Sequence, residues 1–122
     1  MKPSLKLTSK RSSSIILRSV VFLFPRIGSG VTVFSGAFRL RNVVNFGEII
    51  ISQRPSAGFL TQPVIRYQIV DAVTHRPITN AVTVRGTRTF VLTFVVPAGT
   101  DRLQITNVGP SPAEVNGKVL IF

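Results

Sequence analysis

Residues 88–108 read RTFVLTFVVPAGTDRLQITNV. In the first nine, Phe90, Leu92, Phe94 and Val96 fall on one side of an extended chain, with Thr89, Val91, Thr93 and Val95 on the other. A period of two is the mark of a strand with one buried face. Pro97-Ala98-Gly99-Thr100 supplies turn chemistry. From Asp101 the period resumes, with Leu103 and Ile105 facing one way. Two apolar-faced strands separated by a short turn are read here, and no helix fits this stretch.

Working outward, residues 64–71 repeat the pattern, with Ile65, Tyr67 and Ile69 on one side and Arg66 and Gln68 on the other. Residues 31–38 alternate more weakly, and residues 39–46 continue them or form a short second strand. Residues 48–53 carry Ile49-Ile50-Ile51, and residues 78–85 lie between the Thr74-His75-Arg76-Pro77 turn and Gly86. Asn116-Gly117 between residues 113–115 and 118–122 is the strongest two-residue hairpin signal, because both residues tolerate positive φ. No segment shows sustained helical periodicity with caps. The expectation is an all-β fold of about eight antiparallel strands, a jelly-roll sandwich carrying an N-terminal extension strand, with an immunoglobulin-like order as the alternative topology. Most phenylalanines and Tyr67 belong to its core.

The chain has 122 residues, 44% of them hydrophobic, and a mean hydropathy of +0.37, enough apolar material for one packed domain. It contains no cysteine, which excludes disulfides and thiolate metal sites. Its net charge of +11 is unevenly spread: residues 1–41 hold eight lysines and arginines and no acid. The organisation read from this is a flexible basic tail over residues 1–14, a connector strand and hinge over 15–30, and a sandwich over 31–122. The basic tail either contacts an anionic surface or nucleic acid, or is simply solvated. No run approaches the roughly 20 apolar residues of a membrane-spanning helix.

Little in the sequence suggests catalysis. Glu48, Asp71, Asp101 and Glu114 form no close pair, and Asp71 and Asp101 stand at strand ends, where turn capping is the ordinary role. His75 is the sole histidine and falls in a turn. A zinc site needs three or four ligands of the His, Cys or carboxylate type. Gly28-Ser29-Gly30 has the spacing of neither phosphate-binding glycine motif. No catalytic residue, metal ligand, cofactor or small-molecule substrate is expected, and a carbohydrate-binding sandwich is disfavoured by the lack of Trp and the single Tyr.

The most suggestive segment is Ile15, Ile16, Leu17, Arg18, Ser19, Val20, Val21, Phe22, Leu23 and Phe24, tethered by a hinge at Pro25, Gly28 and Gly30. Three fates are open to it. It pairs within its own sandwich, it is the apolar part of a signal peptide, or it adds to an exposed sheet edge of a neighbouring copy. The stretch from Gln62 to Phe122 resembles the jelly-roll subunits of bacterial endospore appendages. The features shared are a strand opened by Pro63-Val64, the Phe90, Leu92, Phe94 strand, the Asp101, Leu103, Ile105 strand and a final strand led by Gly117. The resemblance implies a structural subunit that self-assembles into an extracellular or spore-surface filament. Its partners would be copies of itself, engaged by an N-terminal strand reaching into the next subunit. Cysteines lock that connector covalently in the best-known appendage subunits, and residues 15–24 have none. On this reading Ile15, Ile16, Leu17, Val20, Val21, Phe22, Leu23 and Phe24 are the assembly residues, and deleting residues 1–25 would leave a folded monomer. The alternative is a capsid-like or nucleic-acid-coating jelly roll with a basic N-terminal arm.

Overall fold

A computed structural model of the protein describes residues 2–8 and 18–122. Ten strands run in chain order: β1 Ser4–Thr8, β2 Arg18–Ile27, β3 Thr32–Phe34, β4 Phe38–Leu40, β5 Asn45–Pro55, β6 Val64–Asp71, β7 Val82–Arg85, β8 Arg88–Val96, β9 Gly99–Asn107 and β10 Ala113–Ile121. No helix is present among the described residues. The strands form two antiparallel sheets of five. Sheet A has the order β1-β8-β5-β10-β2. Sheet B has the order β3-β9-β6-β7, with β4 pairing the same side of β9 beyond β3. Taking β3 and β4 as halves of one broken strand, β2 to β10 make the eight-strand jelly roll, and β1 is an addition at the β8 edge.

The expected strands at residues 64–71 and 88–96 have those bounds. Alternation is sharp there, and branched and aromatic side chains fill the pleat. Ile65, Tyr67 and Ile69 from sheet B meet Phe90, Leu92, Phe94 and Val96 from sheet A in one core, all 5% exposed or less. Asp71 caps its turn as expected: its Oδ1 accepts from the Val73 and Thr74 N–H groups at 2.9 Å each.

The hairpin expected at Asn116-Gly117 does not form. Both residues lie inside continuous β10, Gly117 opposite Ile51 of β5 on one side and Phe22 of β2 on the other. The glycine meets a different need: a Cβ there would collide with the Ile50 carbonyl oxygen and lie 3.0 Å from the Phe22 ring. Close approach of two backbones, rather than a turn, fixes this position.

Asp101 differs from its expected role as well. It lies two residues inside β9, directly opposite Asp71, and is 2% exposed. Burial, reinforced by the Asp71 charge, pushes its carboxyl up to about 6. Backbone N–H groups of Thr74 and Val73 hold the Asp71 carboxyl below the usual range. The native state therefore keeps the Asp101 proton to higher pH than the unfolded chain, and stability falls as pH rises from about 4 to about 6. The loss is complete above the native value. Asp101→Asn is expected to flatten urea-denaturation midpoints over that window and raise the midpoint at pH 7. The Asp71 contribution has the opposite sign and is lost only in stronger acid.

Candidate assembly interface

Among the described residues, sheet A ends at β2 on one side and at β1 on the other. At one side, β2 pairs with β10 from Arg18↔Ile121 to Ile27↔Ala113, with a bulge between Ala113 and Val115. Val20, Phe22 and Phe24 turn inward, and Phe22 is buried. Val21 and Leu23 turn outward, 74% and 62% exposed, on an edge strand whose far side has no partner among the described residues. Apolar side chains this open on an unpaired edge invite a further contact.

In the single chain, then, Val20, Val21, Phe22, Leu23 and Phe24 are committed to the chain's own β10. Ile15, Ile16 and Leu17 lie outside the described residues. Phe22 and Ile27 belong to the core, so deleting residues 1–25 would remove most of a structural strand along with any connector.

The hinge is a structured corner. Pro25 lies within β2, and its carbonyl accepts from Ser56 Oγ at 2.9 Å. The Gly30 N–H donates to the Asn107 carbonyl at 2.8 Å, the Val31 N–H to the Gly28 carbonyl at 3.0 Å, and Ser29 Oγ to the Gly109 carbonyl at 2.6 Å. Asn107, fully buried, donates from Nδ2 to the Ile27 and Ser111 carbonyls and accepts the Gly109 N–H. Gly30 has φ 78°, which only glycine adopts cheaply. The chain crosses here from sheet A to sheet B, and each hydrogen bond satisfies a backbone group that neither ladder can reach.

The other side of sheet A holds the feature missed in the sequence. Residues 4–8, inside the expected flexible tail, form β1 along β8, in register from Ser4↔Val95 to Thr8↔Val91. Leu5 is buried beside Phe94, and Leu7 sits over Leu92, 37% exposed. Lys6 points outward opposite Thr93. Asn80, in the loop before β7, holds the strand at Leu5: the Leu5 N–H donates to Asn80 Oδ1 at 3.1 Å, and Asn80 Nδ2 donates to the Leu5 carbonyl at 3.0 Å. The signal was present in Leu5-Lys6-Leu7, a short alternation submerged in a Lys- and Ser-rich context.

β1 covers five of the nine residues of β8 and buries about one and a half leucines. At about 1.5–3 kcal/mol for each fully buried side chain, that is a modest anchor. Nine residues separate it from β2, which lies at the opposite edge of the sheet. Ten Cα steps give a contour of at most about 35 Å. The four strand spacings between β1 and β2 sum to about 19 Å. A tether of that length reaches the chain's own β8, and it equally reaches the β8 of a copy placed against its β2 edge.

No family model, curated protein or solved structure matches the chain.

Proposed function

We propose that the protein is a structural subunit that assembles head to tail into a filament, donating its N-terminal strand to the next copy. The observation that carries this is β1: a short, weakly anchored strand, nine residues before β2 in the chain, is the sole cover of the β8 edge among the described residues. Its contacts are the same whether its own chain or a neighbour supplies it. Exchange of an identical element costs little beyond association entropy. In the exchanged arrangement β1 of one copy joins β8 of the next, whose β2 edge receives the following copy. Sheet A then continues from subunit to subunit. Val21 and Leu23 lie on the edge that faces the incoming copy. A heterologous contact of this kind propagates unless its rotation closes a ring. An extracellular or spore-surface setting belongs to the same proposal.

The donated strand is thus residues 4–8 rather than 15–24, and the test changes accordingly. The full-length chain in moderate salt is expected to give long uniform fibres by negative-stain electron microscopy. A chain lacking residues 2–8 is expected to remain folded by circular dichroism, since β2 to β10 close the jelly roll, and to give none. Fibres that survive this deletion would refute strand donation. Closed shells from the full chain would favour the capsid-like alternative.

A further inference from the structure

The outward positions of sheet B carry a charge pattern that assembly through sheet A does not use. Arg85 of β7, Arg66 of β6, Arg102 of β9 and Arg39 of β4 all lie on the solvent side of their strands, since their neighbours in sequence turn into the core. Register places Arg85 opposite Val64, Arg66 opposite Thr106, Arg102 opposite Val70, and Arg39 opposite Thr100. Each arginine is therefore one strand further across the sheet and further along it than the last. With about 6.8 Å between successive outward residues and about 4.8 Å between strands, the steps are about 8, 14 and 8 Å. The four guanidinium groups mark a diagonal of about 30 Å.

No carboxylate interrupts this diagonal among the described residues. Glu48 and Glu114 belong to the outer side of sheet A, where Glu114 pairs with Arg54 at 3.1 Å. Asp101 is buried, and Asp71, the acid nearest the Arg102 end, has its Oδ1 taken by two backbone N–H groups. Arg102 donates to the Ser35 carbonyl at 3.1 Å, a contact that orients it without neutralising it.

The gap between Arg66 and Arg102 is filled by a different chemistry. Gln68 and Gln104 face each other there, and Phe34 stands beside Gln104. The Phe34 ring stacks on exposed His75, centroids 4.3 Å apart and planes at 23°. His75 holds its place from the left-handed region, φ 59°, at the tip of the Asp71-capped turn. Cations in a line with an aromatic pair and amides between them form the arrangement that tracks a phosphate backbone and stacks a base.

We propose that the outer face of sheet B binds single-stranded nucleic acid, with Arg39, Arg66, Arg85 and Arg102 on phosphates and the Phe34–His75 pair as a stacking platform. This does not rest on the assembly reading, because sheet B and the β1/β8 edge are separate surfaces.

The test is fluorescence anisotropy of the full chain with a labelled thymidine 20-mer over a salt series. Four phosphate contacts to a single strand give a slope of log K against log salt of about −2.8, an affinity loss of about 50-fold between 50 and 200 mM. Replacing the four arginines with Gln is expected to remove that slope. The double variant Arg66→Gln/Arg85→Gln, at exposed positions, is expected to remove about half of it. Phe34→Ala is expected to weaken oligonucleotide binding about tenfold and to leave inorganic polyphosphate binding unchanged. The proposal is overturned if the arginine variants keep the parental slope. It is equally overturned if Lys2, Lys6, Lys10 and Arg11→Gln abolish binding by themselves, or if Phe34→Ala has no effect and polyphosphate binds as tightly as the oligonucleotide.

Discussion

Gly117→Ala is expected to destabilise the domain by about 3 kcal/mol, the upper end of what overpacking usually costs, and Gly117→Val is expected to leave little folded protein. Gly117 lies in β10 between two ladders, opposite Ile51 of β5 on one side and Phe22 of β2 on the other. A methyl group there meets the Ile50 carbonyl oxygen, which is backbone and cannot rotate away, and the Phe22 ring. Relief requires separating β10 from β5 at the centre of sheet A. A domain of this size holds about 5–15 kcal/mol in all. The neighbouring Lys118→Ala is the control: Lys118 is exposed on the outer face, and its loss is expected to change stability by less than about 0.5 kcal/mol. Urea unfolding followed by far-ultraviolet circular dichroism measures both.

Gln53→Ala is expected to cost about 3–5 kcal/mol, more than Tyr67→Phe at about 1–2 kcal/mol. Gln53 is 1% exposed and joins the two sheets. Its Oε1 accepts from Tyr67 Oη at 2.7 Å, and its Nε2 donates to the Val84 and Gly86 carbonyls at 2.9 Å each. Truncation strands a buried phenol and two carbonyls together. Removing only the Tyr67 hydroxyl strands one acceptor. The asymmetry arises because an unpaired buried polar group loses its full solvation, whereas a made hydrogen bond is worth little net. Equal costs for the two substitutions, read from the same denaturation curves, would show that the amide is not the hub.

These two residues also show where the sequence stops being legible. β6 and β8 could be read residue by residue, because each alternates Ile, Leu, Phe or Tyr with polar or branched partners, and local pattern suffices for one strand. Gln53 could not. As a polar residue at the end of an Ile-rich run it reads as a strand terminus. Its burial depends on Tyr67, Val84 and Gly86, which only the packing of the second sheet brings near. Asn116-Gly117 failed for the converse reason. The dipeptide permits a turn without requiring one, and the demand for a missing side chain comes from Phe22, 95 residues earlier.

The N-terminal residues divide in the same way. The alternation of Val20, Phe22 and Phe24 against Val21 and Leu23 marks a strand, but pairing is non-local, and nothing local selects β10 as its partner. Leu5 and Leu7 carry too few residues to outweigh the lysines and serines around them. The arginine diagonal was half visible: the outward direction of Arg66 follows from alternation, while its alignment with Arg85, Arg102 and Arg39 needs the register of four strands. Of the jelly roll, the strand content was legible and the order of the strands was an inference from their number.

The most direct test of strand donation uses the absence of native cysteine. Ser4 and Val95 are register partners on β1 and β8. Directly opposed antiparallel residues have Cα atoms about 4.5–5.5 Å apart, within the span of a disulfide. A chain carrying Ser4→Cys and Val95→Cys, assembled and then oxidised, is expected to run on a non-reducing denaturing gel as a ladder extending well beyond dimer and to collapse to monomer on reduction. A single fast-migrating monomer band, with the cysteines bonded within one chain, would contradict the account, and a ladder that stops at dimer would contradict the filament.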